Sequence, residues 1–412
     1  MEYDALIIGA RAAGASLGLL LAQQGRRALL VDRDHFPSDT MSTHFMSARS
    51  VLLLARLGVL EEVEAAGFRR LTRSRTYVDD CVFEGPAGPG GAYHLAPRRD
   101  VLDSILARRA VAAGAEFAQR TRAERLVEED GRVAGAVLRG SEGEREVRAR
   151  VVVGADGKYS SVAKWVGAEE YEAVPAIRPA YYGHYHGLEP LPEPAVEVFY
   201  GHDRIGFIFP MRPDEDCIAL EVQPEEFDEI RADPQAVFER HISALPGMDQ
   251  RMRNARLDGK LIGTKGIENY FRKPYGPGWV LTGDAGYLKD PSTGTGIGDA
   301  LQQALWLAET LEAWFQGADW DESLGSFQRT RDEAMMPSYQ STLAFTQMRD
   351  PDPSQVAWIK AALFSPMFGR TLAYALPAAL PELMPPGMRA TLRAVATGFG
   401  ARVEAATAPP GD

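Results

Sequence analysis

The chain opens on Ala5-Leu6-Ile7-Ile8, apolar at every position, a pattern that predicts a strand buried on both faces. A turn of small residues follows, Gly9-Ala10-Arg11-Ala12-Ala13-Gly14, then an Ala/Leu-rich helical stretch to about Gly25. A second apolar run, Ala28-Leu29-Leu30-Val31, is closed by Asp32, and the whole predicts a βαβ unit. Between 120 and 150 the pattern changes to alternation. Arg125-Leu126-Val127, Val133 to Leu138 and Glu146-Val147-Arg148 are separated by Asp130-Gly131 and Ser141-Glu142-Gly143, the signature of a three-stranded meander. It leads into a buried strand, Val151-Val152-Val153-Gly154. Another, Trp279-Val280-Leu281, precedes a glycine-rich loop. Beyond that loop, Ile297 to about Leu311 carries Leu301, Leu305, Ala308 and Leu311 on one helical stripe.

Two further stretches, 69–98 and 175–277, read as strands with Pro/Gly breaks. In Tyr181-Tyr182-Gly183-His184-Tyr185-His186, alternation puts Tyr181 and Tyr185 on one face and Tyr182, His184 and His186 on the other. Ile205, Phe207 and Phe209 project together in the same way. From about Ser323 to Gly400 the pattern is mostly helical and punctuated by prolines, with Trp358, Leu363, Phe364, Met367 and Phe368 offering an apolar cover for a pocket or a homodimer contact.

Composition narrows the classes. The chain has 412 residues, 45% hydrophobic and 25% charged, the balance of a globular protein with two or three domains. A net charge of −12 with no basic stripe excludes a nucleic-acid footprint. Cys81 and Cys217 match no metal or redox spacing and read as buried, reduced thiols. No apolar run approaches the about 20 residues of a transmembrane helix, and Met1-Glu2-Tyr3-Asp4 enters a strand directly, with no signal peptide. The expected setting is cytoplasmic.

Chemistry enters at the strand ends. Asp32 lies 23 positions after Gly9 (32 − 9), near the spacing of a dinucleotide-binding fingerprint. In that fingerprint Gly9 permits the tight turn, Gly14 lets helix and strand approach, and the helix N-terminus faces phosphate charge. Arg11 stands where the middle glycine belongs, so its side chain must point away or pair with phosphate. Asp156, in Gly154-Ala155-Asp156-Gly157, and Asp284, in Gly283-Asp284, put carboxylates at two more strand ends, where ligands bind in open α/β sheets. Pro291-Ser292-Thr293-Gly294-Thr295-Gly296-Ile297 then opens a helix whose free N–H groups favour developing negative charge.

The ordered set Gly9-x-x-x-x-Gly14, Asp32, Arg99-x-x-Leu102-Asp103, Asp156-Gly157, Gly283-Asp284 and Pro291-x-x-Gly294-x-Gly296, spanning about residues 4–320, resembles the FAD-dependent hydroxylase superfamily. Its members include para-hydroxybenzoate hydroxylase, geranylgeranyl reductases and flavin-dependent halogenases. The resemblance implies an α/β fold: a Rossmann-like FAD domain (1–68, 99–174 and 278–322), an inserted antiparallel β-sheet substrate domain (69–98 and 175–277) and a helical C-terminal region (323–412). It implies FAD held by Gly9, Ala10, Ala13, Gly14, Asp32 at the ribose, Arg33 beside the adenine, and Arg99 near the phosphate and ribityl chain. Asp156 would close the site and, in hydroxylases, touch the nicotinamide cofactor. Gly283 and Asp284 would meet the ribityl hydroxyls, and Pro291, Gly294, Gly296 and Ile297 the flavin ring. Ala163 and Gly298 replace a frequent arginine and asparagine, which bears on nicotinamide docking more than on FAD.

The expected activity is an FAD-dependent monooxygenase that uses NAD(P)H and O2 to hydroxylate or epoxidise an apolar or aromatic small molecule, with bacterial secondary metabolism as the expected setting. Tyr182, His184, His186, Phe207 and Phe209 are candidate pocket residues. His44 falls where the superfamily chain passes the flavin and is the candidate proton donor. The His184-x-His186 spacing lacks a third ligand, so no metal is expected. A single glycine fingerprint excludes a separate nicotinamide domain. The absence of Trp-x-Trp argues against a halogenase; a geranylgeranyl-reductase-like enzyme is the alternative, and a non-catalytic flavin-binding module the second.

Overall fold

The computed structural model describes residues 2–78, 81–201 and 203–347, apart from the side chains of Val78, Cys81 and Phe83. The aromatic cover expected around 358–368 and the Cys81 thiol lie outside the described residues. Five parallel strands form the spine of the first sheet, in the order Trp279–Leu281, Gly143–Gly154, Glu2–Ile8, Ala28–Val31 and Glu116–Ala118. The Arg122–Glu129 and Arg132–Gly140 strands extend it as the expected meander. The third meander strand and the buried run after it form one strand, Gly143–Gly154. Its first half is mostly exposed and pairs with the meander; its last four residues are buried beside Glu2–Ile8. Helices Ala12–Gln23, Arg99–Ala112 and Gly296–Phe315 pack together over one face.

A seven-stranded sheet lies against this body, ordered Arg256–Thr264, Ala180–His186, Glu215–Glu221, Arg204–Arg212, Ala195–Gly201, Arg73–Val78 and Cys81–Pro86. It is antiparallel except where Arg73–Val78 runs parallel to Ala195–Gly201. The period of two assigns its faces as the alternation predicts. Tyr182, Ile205, Phe207, Phe209 and Cys217 share a core with Ile7 and Leu17 of the first body. Tyr181, Tyr185, Phe199 and Ile218 face the other way.

That outer face corrects one expectation. Residues 175–277 are not all strand: helices Phe227–Ala232, Pro234–Ser243 and Met248–Arg251 cover it, burying Ile230, Val237, Phe238, Ile242 and Met248. The chain also returns to the first body before residue 278. Asn269–Arg272 joins Glu170–Val174 and Tyr287–Leu288 in a small third sheet, and Tyr275–Gly276 pairs with Trp279–Leu281. The long helix Trp320–Thr346 is anchored there. The fully buried Arg331 donates to the carbonyls of Gly286 (3.1 Å) and Arg272 (2.9 Å) and to the Tyr171 hydroxyl (2.7 Å). Among the described residues no helix is long and apolar enough to cross a membrane.

Candidate cofactor and substrate site

Pairing register brings the motif-bearing strand ends into one row. Ile8 is opposite Val31 on one side and Gly154 on the other, and Gly154 is opposite Leu281. Three loops separated by more than a hundred residues therefore leave the sheet at one edge, and they touch. A Cβ on Gly9, which sits at φ +101, would lie 2.3 Å from the Ala155 carbonyl oxygen. A Cβ on Gly14 would lie 1.9 Å from the Gly9 oxygen, and one on Gly283 2.8 Å from Ala13. Glycine is required here by close approach.

The charges order themselves around this junction. Asp32 accepts from the N–H groups of Ala10 and Asp34, both at 2.9 Å, which fixes the turn and leaves its remaining lone pairs facing outward. Arg33 beside it is exposed. Arg11 turns away from the helix it precedes, donating to Asp34 (2.9 Å), Asp103 (3.3 Å) and the Ser38 carbonyl (3.1 Å). The Ala12–Gln23 N-terminus thus has no side-chain cap, and the missing middle glycine costs it nothing in access. Arg99 also grips Asp103, at 3.0 Å. The fully buried Asp103 carboxylate faces two guanidinium groups, and Asp34 is the second carboxylate on Arg11, so the cluster's charges balance.

Asp156 and Asp284 divide in role. Asp156 accepts from the Ser160 hydroxyl (2.5 Å) and the N–H groups of Ser161 (2.6 Å) and Val162 (3.3 Å). Ser160 caps the helix Ser161–Trp165 and Asp156 accepts from its first two N–H groups, so the Asp156 carboxylate is engaged within the fold. Asp284 is the reverse. Its side chain is exposed to solvent although protein crowds around it, and its carboxylate accepts no hydrogen bond from the described residues. That enclosure pushes it above the usual carboxyl range, against the pull of Arg99 and Lys158. Nearby, Pro291 is half-buried, Gly294 (φ +63) packs on Phe45 and Ile297 is buried. Gly296 is exposed at the start of a 20-residue helix, with nothing within 4 Å of a Cβ there. Thr295 makes no side-chain cap, leaving the first N–H groups open.

The inner sheet face meets this loop through Phe45, which stacks on Phe209 at 5.2 Å; Phe209 stacks on Phe207 at 5.9 Å. Beside them His44 is fully buried in a left-handed conformation (φ 61), a strain of about 1 kcal/mol for a residue with a side chain. Its Nε2 is 3.1 Å from His184 Nε2, and its ring packs edge-on to Tyr182. His44 Nδ1 has no well-formed hydrogen bond, although the Pro97 carbonyl favours a proton on the ring. Burial, then His184, Arg99 and Arg98, hold His44 well below the usual histidine range, and burial with Arg98 lowers His184. Both rings are neutral.

His186 is a correction: it sits exposed at the strand end, bonded to the Asp214 carbonyl, away from the other pocket residues. Cys217, opposite His184 on the next strand, takes its place. His44, His184 and Cys217 bring donor atoms within 4.8 Å of one another, the metal-ligating grouping among the described residues and a soft donor set. Spacing could not show Cys217, Phe45 or Lys158 as site residues; only Phe45, adjacent to His44, carried a local hint.

A dinucleotide-binding edge, an uncapped helix over a glycine loop and an aromatic sheet beside them define a flavin-binding oxidoreductase, and the comparisons agree. The chain belongs to the family described as FAD binding domain, whose model matches residues 2–341. It is 24% identical over 335 residues to the 1H-pyrrole-2-carbonyl-[peptidyl-carrier protein] brominase of Pseudoalteromonas luteoviolacea, covering 77% of this chain and 79% of that one. It is 27% identical over 315 residues to the digeranylgeranylglycerophospholipid reductase of Methanosarcina acetivorans (73% and 72%). With the 6-methylpretetramide 4-monooxygenase of Streptomyces rimosus it shares 34% identity over 170 residues, 40% of each chain. Its fold superposes on flavin-dependent brominase Bmp2 with a TM-score of 0.79 at 19% identity, covering 96% and 98%.

Proposed function

We propose that this chain is an FAD-dependent monooxygenase that uses NAD(P)H and O2 on an apolar, aromatic small molecule. The observation that carries the reading is the position of Phe45. It packs against Gly294 of the loop expected at the flavin ring and stacks on Phe209 at 5.2 Å, so that loop and the aromatic sheet face adjoin. In this reading Asp32 takes the ribose, the open N-terminus of Ala12–Gln23 and Arg99 the diphosphate, and Asp284 the ribityl hydroxyls. The N–H groups from Gly296 onward face the electron-rich edge of the ring.

FAD, when bound, supplies two-electron transfer and, with dioxygen, the transferred oxygen atom. The chain's own residues do the rest. Phe45, Phe207, Phe209 and Tyr182 orient a flat apolar substrate and exclude water. His44, neutral and buried, can take or return a proton at Nδ1, the ring nitrogen without a hydrogen-bond partner.

A second reading, saturation of an alkene, is favoured by likeness to the archaeal reductase. The brominase relative also restores a halogenation arm that the missing Trp-x-Trp had argued against. One experiment sorts them. The purified protein is titrated with FAD, and NAD(P)H oxidation is followed with aromatic and alkene substrates, with and without O2 and with bromide. Substrate-dependent oxygen uptake with an oxygenated product supports the monooxygenase. A saturated product without O2, or a brominated one, replaces it; failure to bind FAD sinks all three.

A further inference from the structure

The cofactor reading leaves one buried polar network unused. At the end of strand Glu215–Glu221, Glu221 faces Asp290, the residue before the 291–296 loop; each is 2% exposed, and the two carboxyls act on each other electrostatically. Asp290 Oδ1 accepts from the Ser292 N–H at 3.0 Å and the Thr346 hydroxyl at 3.1 Å, and the Asp290 N–H donates to Asn269 Oδ1 at 2.7 Å. The Ser292 and Thr346 hydroxyls lie 2.6 Å apart. Glu221 Oε2 is buried without a geometrically formed hydrogen bond.

Burying that many polar atoms is costly unless each is matched, and two carboxyls in contact out of water cannot both ionise. The surroundings do not relieve them. Arg178 faces Glu221, but its guanidinium is spent on the carbonyls of Thr346 (2.7 Å) and Asp203 (2.6 Å). Lys289 turns to Ser338 and to Asp299 at 3.3 Å, and the long helix brings only the Thr346 hydroxyl to the pair.

We propose that Glu221 and Asp290 share a single proton, and that this proton holds the 291–296 loop in the shape that receives the flavin ring, so that cofactor affinity depends on pH. The two are positioning residues acting through the loop: Asp290 caps its first turn, and Glu221 keeps Asp290 in place by donating the shared proton. Loss of that proton puts a second negative charge into the interior, which the loop must move to relieve. The inference rests on the FAD reading. Burial holds Glu221 well above the usual carboxyl range, so the folded chain keeps a proton that the unfolded chain releases. Stability therefore falls as pH rises until the pair has lost its proton, and FAD retention falls once it has.

The test measures the FAD dissociation constant of the full chain by flavin fluorescence from about pH 6 to 9, in the wild type and in Glu221→Gln, beside thermal unfolding of the FAD-free protein over the same range. The wild-type constant is expected to rise by up to about tenfold per pH unit once the proton leaves. Glu221→Gln, whose amide N–H preserves the bond to Asp290, should match the wild type at the acid end and stay flat. A flat wild-type profile, or parallel profiles in both proteins, overturns the proposal. If neither binds FAD at any pH, the cofactor reading falls instead and the unfolding curves decide: a slope lost in Glu221→Gln supports the shared proton, and parallel slopes sink it. If Glu221→Gln does not fold, wild-type unfolding alone decides, and stability that holds as pH rises is the overturning result.

Discussion

Asp284→Ala separates a ligand-binding carboxylate from a structural one. In the cleft its carboxylate accepts no hydrogen bond from the described residues, and enclosure raises it above the usual carboxyl range. A raised carboxyl contributes stability below its unfolded value and loses it as pH climbs through the folded one, so at neutral pH this charge is a burden on the empty protein. A charge-assisted hydrogen bond to a ribityl hydroxyl, by contrast, is worth about 1.5–3 kcal/mol, which is about 10- to 150-fold in affinity. The variant should therefore weaken FAD binding by that factor, read by equilibrium dialysis, while the melting temperature of the FAD-free chain holds or rises. Unchanged affinity together with a lower melting temperature would refute the assignment.

Gly14→Ala, which drives a methyl to 1.9 Å from the Gly9 oxygen, should abolish FAD retention after gel filtration. Gly25→Ala, at φ +77 with nothing within 4 Å, should keep the cofactor at a cost of about 1 kcal/mol; equal retention in both would sink the close-approach argument. Asp103→Ala strands the partly exposed Arg99 guanidinium and removes one of the two carboxylates on Arg11, and should cost about 3 kcal/mol in urea unfolding; under about 1 would show the cluster is not coupled. Burial lowers His94 to about 4, and its Nδ1 accepts the Ala48 N–H at 3.0 Å. The unfolded chain takes up that proton first, so stability should fall by about 1.4 kcal/mol per pH unit for this residue between about pH 6.5 and 4. His94→Gln should remove that share of the slope; an identical slope would refute it.

The parts of this molecule visible in its residues are those governed by local periodicity. The βαβ unit, the meander and the facing of Tyr182 and Phe207 follow from spacing alone. The helices between Phe227 and Arg251 were hidden because each is short and lies among strands. Asp233 accepting from the Ala236 N–H, with Pro234 in the first turn, was the available start signal. Long-range pairing left no such trace. Nothing near Arg11 shows that Asp103 will meet it, and nothing near His44 shows His184 or Cys217. Those contacts depend on how two sheets dock, and they decide which carboxylates remain available: Asp156 is engaged by the first N–H groups of a helix and Asp284 is not.

The buried guanidinium of Arg331 makes the helix Trp320–Thr346 a keystone rather than an appendage. Cutting the chain after Phe315 would strip the Gly286 and Arg272 carbonyls of a donor in the protein interior, where no solvent replaces it. Gly286 lies two residues beyond Asp284, so a change of fit at one end of this helix is felt where a ribityl chain would rest. Residues 323–346, which the residue pattern sets apart, are thus mechanically tied to the loop that carries Asp284.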